Sequence, residues 1–141
     1  DLTDLASSPA GLQVEVEISD FASQVPETQT VTLGADGHYS LITLRQGDAN
    51  VSFKASHWLR RTVANVEIPN TGYYGLDASL INGDCDGDNE VGIGDYAVLS
   101  AAYNSGPGDG NWNPNADLNG DESVDIADYA ILSANYGQGG D

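Results

Sequence analysis

The chain has 141 residues with 22 acidic against 4 basic side chains, for a formal charge of −18 at pH 7. That balance argues against nucleic acid and anionic membrane surfaces as partners, because both demand basic patches. Apolar residues make up 40% of the chain and recur in order, unlike the composition of a disordered acidic tail.

A length of this order suits one ordinary domain or two small ones. No apolar run reaches the span of a bilayer, so no membrane insertion is expected. The sequence opens on Asp1 without a basic and apolar leader, which suggests a processed chain or an excised fragment. Cys85 has no second cysteine to pair with, and is expected as a small side chain pointing outward from a loop.

In chain order, "LQVEVEI" alternates with period two, Leu12, Val14, Val16 and Ile18 facing one way, as in a half-buried strand. "TQTVTLGADGHYSLITL" sets Asp36-Gly37 between two strand-like runs, a hairpin signal because glycine tolerates positive φ. "NVSFKAS" alternates again, and "RTVANVEI" and "YYGLDASLI" supply further short strands. Six or seven strands with frequent turns predict an all-β antiparallel sandwich, of immunoglobulin or transthyretin type, over residues 1–81. Lys54 lies between Phe53 and Ala55 and should point away from the core.

The pattern changes at Asn82. "GDCDGDNEVGIGDYAVLSAAY" returns thirty-three residues later as "ADLNGDESVDIADYAILSANY". Counted from its first aspartate, the first copy carries Asp84, Asp86, Asp88 and Asp95 at positions 1, 3, 5 and 12; the second carries Asp117, Asn119, Asp121 and Asp128. Oxygen side chains at those positions match a twelve-residue calcium loop of EF-hand type. Position 7 gives only its backbone carbonyl, which suits Glu90 and Ser123, and the apolar position 8, Val91 or Val124, ties each loop to its partner. At position 9, Asp125 reaches a cation through water, whereas Gly92 leaves the first site wetter.

Hard oxygen donors without thiolate or imidazole select Ca²⁺, and two ions are expected. Carboxylates about 4–5 Å apart repel by several kcal/mol, roughly, at protein-like dielectric unless a dication joins them. The "LDASLING" and Pro114-containing "WNPN" stretches preceding the loops deny each one an entering helix, so each unit is a loop with an exiting helix.

Those paired loops and trailing helices resemble type I dockerin modules over residues 82–138, with repeat one at 82–105, a half-helical spacer at 106–114 and repeat two at 115–138 in a module of 82–141. Asn89 and Glu122 depart from the glycine usual at position 6. The strands upstream resemble small carboxypeptidase-regulatory-like or Cna-B-like modules; the internal isopeptide cross-link of some relatives is not expected, because Lys54 points outward.

Tyr96, Leu99 and Tyr103, and their counterparts Tyr129, Leu132 and Tyr136, form a stripe that should pack the helices together. Val98 and Ile131 fall far from that stripe and suggest a binding surface. The dockerin resemblance implies a cohesin-type partner met by Ile93, Gly94, Val98, Ser100 and Ala101, or by Ile126, Ala127, Ile131, Ser133 and Ala134.

The whole therefore reads as a non-catalytic, calcium-dependent anchor of a secreted or cell-surface protein, with the sandwich bracing the dockerin. Two alternatives stand beside it: a calcium-dependent stabiliser in which the repeats bury Val98 and Ile131 on their own sandwich, and a sugar-binding sandwich using Tyr73-Tyr74 and Trp58. Polysaccharide association is otherwise expected only through the parent protein. His38 and His57 have no nucleophile or metal spacing near them, so no enzyme is expected.

Overall fold

The computed structural model describes residues 1–20, 25–71 and 75–141; the Tyr73-Tyr74 pair lies outside them. Four strands, β1 (Gln13–Asp20), β2 (Glu27–Thr32), β3 (Gly47–Ala55) and β4 (Arg61–Ile68), form one antiparallel sheet in the order β2-β1-β3-β4. Alternation places Val14, Val16 and Ile18 in its core beside Val51, Phe53 and Ala55, while Glu15 faces out. Val16 stands opposite Gln29 on one side and Phe53 on the other.

A second sheet does not form among the described residues, which corrects the expected sandwich. The Asp36-Gly37 turn closes as its sequence requires, with Gly37 at φ 78° and the Gly34 N–H donating to the His38 carbonyl at 2.8 Å. Beyond it, residues 38–46 lie extended over the core face without a backbone ladder. Tyr39 and Leu41 still pack inward, and the Tyr39 hydroxyl donates to the Leu76 carbonyl at 2.8 Å. Residues 75–81 add only the isolated Leu80–Leu2 bridge. Side-chain burial is thus achieved by laying these segments across the sheet, and strand pairing is not needed for it.

Two helices follow, α1 (Ile93–Ala102) and α2 (Ile126–Asn135), each leaving an acidic loop with no helix before it. No helix among the described residues is long and apolar enough to cross a membrane. The spacer forms successive turns, Asp109 N–H to Gly106 and Trp112 N–H to Asp109, and no helix. A second apolar cluster gathers Leu59, Cys85, Val91, Leu99, Ala102, Leu118, Val124 and Leu132, with Trp112 against it. Cys85 is therefore buried, not outward-pointing, because the second residue of each loop turns under it: Leu118, its counterpart, is buried likewise. Burial pushes the Cys85 thiol well above its usual range, so it stays protonated and inert.

The helix stripe also differs from expectation. Asp95, Leu99 and Ala102 are the buried residues of α1, and Asp128 and Leu132 those of α2. Turning the twelfth loop residue inward rotates each helix, so Tyr103, Tyr129 and Tyr136 are exposed. Tyr96 is half-buried, and its ring meets Tyr129 at 5.2 Å and Tyr136 at 5.6 Å between centroids. The same rotation brings Val98 and Ile131 partly into the cluster.

The position 8 valines tie each loop to the other repeat, though not loop to loop. The Val91 N–H donates to Gln138 and its carbonyl accepts from Gly137, just past α2; Val124 pairs in the same way with Ser105 and Asn104, just past α1. Each helix exit is thereby stitched to the opposite loop.

Sheet and helices meet through the turn after β3. Trp58 enters the sheet core and the next residue, Leu59, enters the helical cluster. Asn82, fully buried, donates to the Leu118 carbonyl at 2.7 Å and to the Thr3 carbonyl at 3.2 Å, while its Oδ1 lies 3.0 Å from His57 Nδ1. Burial holds the His57 imidazole down, from 6.5 to about 4, against the opposing hydrogen bond of Asn82.

A depressed histidine binds fewer protons folded than unfolded, so its contribution is complete above pH 6.5 and is lost as pH falls toward 4. That window corresponds to about 3 kcal/mol. In denaturant unfolding with excess Ca²⁺, wild type should lose up to that amount relative to His57→Asn between pH 7 and 4; parallel profiles would count against a neutral His57 at the junction.

Candidate metal centre

The acidic loops are shaped by their own backbone. In the first, Asp84 Oδ1 accepts the Gly87 N–H at 2.8 Å, Asp86 Oδ1 that of Asp88 at 3.1 Å, and Asp88 Oδ1 that of Glu90 at 2.9 Å. In the second, Asp117 accepts from Gly120, Asp121 and Glu122, and Asp121 from Ser123. Such side-chain-to-backbone turns are what aspartate and asparagine favour, and they bring alternate side chains to one side.

Position 6 takes positive φ, 71° at Asn89 and 67° at Glu122, so the departures from glycine change the residue and not the turn. Asn89 is well suited to it; Glu122 holds it at a cost of about 1 kcal/mol.

Position 12 closes each loop from the following helix. Asp95 accepts from Asp86 N at 3.1 Å and from Gly92 N at 2.7 Å; Asp128 accepts from Leu118 N at 2.7 Å and Asp125 N at 2.8 Å. The two carboxylates are 1% and 0% exposed, and no basic side chain among the described residues pairs with either. Asp128 Oδ1 also accepts from Asn119 N at 3.2 Å, so that oxygen takes two donors, while Asp128 Oδ2 and both Asp95 oxygens take one each. A buried carboxylate without a counter-charge is unfavourable, and a cation in the loop would relieve it.

The carboxylates register that strain. Desolvation raises Asp117 and Asp128 above the usual aspartate range, the charge of Asp128 adding to the first and that of Asp121 to the second. Asp86 is raised by desolvation and by the charges of Asp95, Asp88 and Asp84, against a lowering backbone bond. Protons therefore compete for these oxygens, and a cation held there would be bound less tightly on acidification.

Asp84, Asp86 and Asp88 offer oxygens all within 4.8 Å of one another. In the second loop the middle rung is Asn119, whose Oδ1 accepts the Asp121 N–H at 2.9 Å while its amide nitrogen donates to Asp121 Oδ2 at 2.9 Å. Glu90 and Ser123 have exposed side chains, as a carbonyl-only position allows. Asp125 caps α2, accepting from Ala127 N at 2.8 Å. The donor set is oxygen throughout, and it fits a hard divalent cation.

On the helices, Ile93 is 77% and Ile126 66% exposed. Ser100, Ala101, Ala127, Ser133 and Ala134 are exposed, Gly94 is half-buried, and so are Val98 and Ile131. Gly94 is close-packed: a Cβ there would stand 2.1 Å from Asp86 Oδ2.

Several residues at this centre escape a local reading. Lys54, on the outer face of β3, reaches Asp84 Oδ2 at 2.7 Å. Arg60 N donates to Asn89 Oδ1 at 2.7 Å, and the final residues 137–141 pair with Asn89, Val91 and Arg60. The N-terminal segment lies on the second loop, where Ala6 N donates to the Asn119 carbonyl at 2.8 Å. Being the only lysine in a chain this acidic was the one signal that could have marked Lys54.

A small antiparallel sheet joined to paired loop-helix repeats is the class of fold these observations define. Residues 82–135 match the family model of the dockerin type I domain. The fold of the whole chain is similar to that of two mutant complexes from Acetivibrio cellulolyticus. One is a C-terminal interface mutant of a type II cohesin–X–dockerin complex, at 18% identity, with 89% of this chain and 83% of that one covered and a TM-score of 0.66. The other is an N-terminal interface mutant, at 15% identity, the same coverage and a TM-score of 0.65. No curated protein matches the chain.

Calorimetric titration of the chelated protein should find two Ca²⁺ per chain, and Asp128→Asn should leave one. Retention of two by that variant would contradict the ligand role given to position 12.

Proposed function

We propose that the chain is a calcium-dependent anchoring unit, in which a dockerin module at residues 82–141, braced by a β module at 1–81, binds a cohesin-type protein domain. One observation carries the reading: two matching acidic loops, the first of which gathers the oxygens of Asp84, Asp86 and Asp88 within 4.8 Å, each run into a helix with exposed Ser and Ala on its outer face. The dockerin family match over 82–135 and the cohesin–X–dockerin complexes with the same fold support it.

Two calcium ions, one per EF-hand-like loop, would be held by Asp84, Asp86, Asp88 and Asp95 with the Glu90 carbonyl, and by Asp117, Asn119, Asp121 and Asp128 with the Ser123 carbonyl and water on Asp125. They supply positive charge that draws the carboxylates together. The chain's own residues then hold the helices in register: the valines of position 8 pair across the repeats, and Asn82 fixes the second loop to the sheet.

The stabiliser alternative is weakened by how the parts meet. Contact with the sheet runs through the backs of the loops, while Ser100, Ala101, Ser133 and Ala134 remain exposed. A secreted or surface location, and polysaccharide association through a parent protein, accompany the anchoring role; no catalytic role is assigned.

Because the repeats are alike, either helix can be offered to the same partner. Against type I and type II cohesin domains, Ala101→Arg or Ala134→Arg alone should change affinity less than threefold, and both together should abolish binding to whichever class is recognised. Loss of all binding in one single variant would refute the two-fold surface, and wild-type indifference to every cohesin would refute the partner.

A further inference from the structure

The two loops are alike in sequence but differ at one pair of equivalent atoms. In the second, Asp117 Oδ2 accepts the Glu122 N–H of its own loop at 3.0 Å. In the first, Asp84 Oδ2 instead takes the Lys54 ammonium at 2.7 Å, thirty residues away on β3. Lys54 is firmly placed: Nζ also donates to the carbonyls of Ser56 at 2.8 Å and Trp58 at 2.7 Å, with Ala55 at 3.3 Å. Asp84 is buried, its side chain fully so, while that of Lys54 is 26% exposed. Residues 82–141 contain no lysine or arginine, and this is the ion pair that joins them to the sheet among the described residues.

We propose that Lys54 is a built-in counter-ion of the first loop: it keeps that loop formed without calcium and, by standing beside the ion, makes it the weaker of the two sites. The inference rests on the calcium reading above.

Two effects of the lysine oppose each other. It orients Asp84, which favours the metal, and it places a positive charge on the other oxygen of the same carboxylate, which disfavours it. Orientation survives without Lys54, because Asp84 Oδ1 is held by Gly87 N and the side chain is enclosed. The charge has no substitute, and a cation one carboxylate away from a dication repels it strongly even in a partly screened site. Repulsion therefore wins in the loaded state. In the metal-free state the sign reverses, since removing Lys54 leaves a buried carboxylate alone.

Lys54→Gln retains a donor on the same stem and removes the charge. Calcium titration of wild type and K54Q should show the weaker of two affinities tightening about tenfold, with the tighter one moving less than twofold. In excess chelator, K54Q should melt roughly 5 °C or more below wild type. An unchanged or weakened calcium affinity, or an unmoved metal-free melting point, would overturn the proposal while leaving the calcium reading intact. Wild type taking up no calcium in the same titration would overturn both. If K54Q is unfolded in chelator at every temperature, calcium release from the loaded protein decides: about tenfold slower release from one site supports the proposal, and equal or faster release refutes it.

Discussion

Carboxylate repulsion in the last sixty residues is the constraint on which the rest of the structure depends. Twelve acidic side chains and no lysine or arginine lie in residues 82–141, and several of those carboxylates are buried. The helical cluster beneath them is small, built on single leucines and valines from each repeat. Backbone N–H groups soften the repulsion by donating into nearly every acidic side chain of the loops, yet they carry only partial charge. The remaining deficit is what a cation in each loop, as proposed, would remove.

That constraint also explains why the sheet is attached as it is. It meets the repeats at the loops and leaves the outer faces of the helices alone. Lys54 and the Arg60 backbone reach the first loop, while Ala6 and Asn82 reach the second. Leu59 crosses into the helical cluster and the chain's last residues return to Arg60 and Asn89. The loops and the junction therefore share these contacts, while Ser100, Ala101, Ser133 and Ala134 on the helices stay exposed.

Much of this was legible in local pattern. Period-two alternation located β1 and β3, the turn signal and strand-like composition located β2 and β4, and the repeated aspartates located both loops and both helices, because each depends on neighbours within a dozen residues. The second layer of the expected sandwich was not legible as irregular chain: residues 38–46 alternate as a strand would, and nothing local reveals that their backbone lacks a partner. The helix stripe was misread for a related reason. Tyr96, Leu99 and Tyr103 suit a buried face by spacing, but Asp95 has to face the loop and takes the helix round with it. Cys85 followed the loop's curvature inward, and Lys54 found its acceptor across thirty residues; both are outcomes of assembly, which composition does not encode.

Thermal unfolding with calcium and then with excess EDTA, followed by both helix and sheet signals in the far-ultraviolet, addresses the central claim most directly. Removing the metal should lower the helix signal and bring down the melting temperature of the helical repeats by ten degrees or more, roughly, with the sheet losing part of its own stability through the shared junction. An identical spectrum and an unshifted transition in EDTA would mean that the loops hold themselves without a cation, and the account would fail.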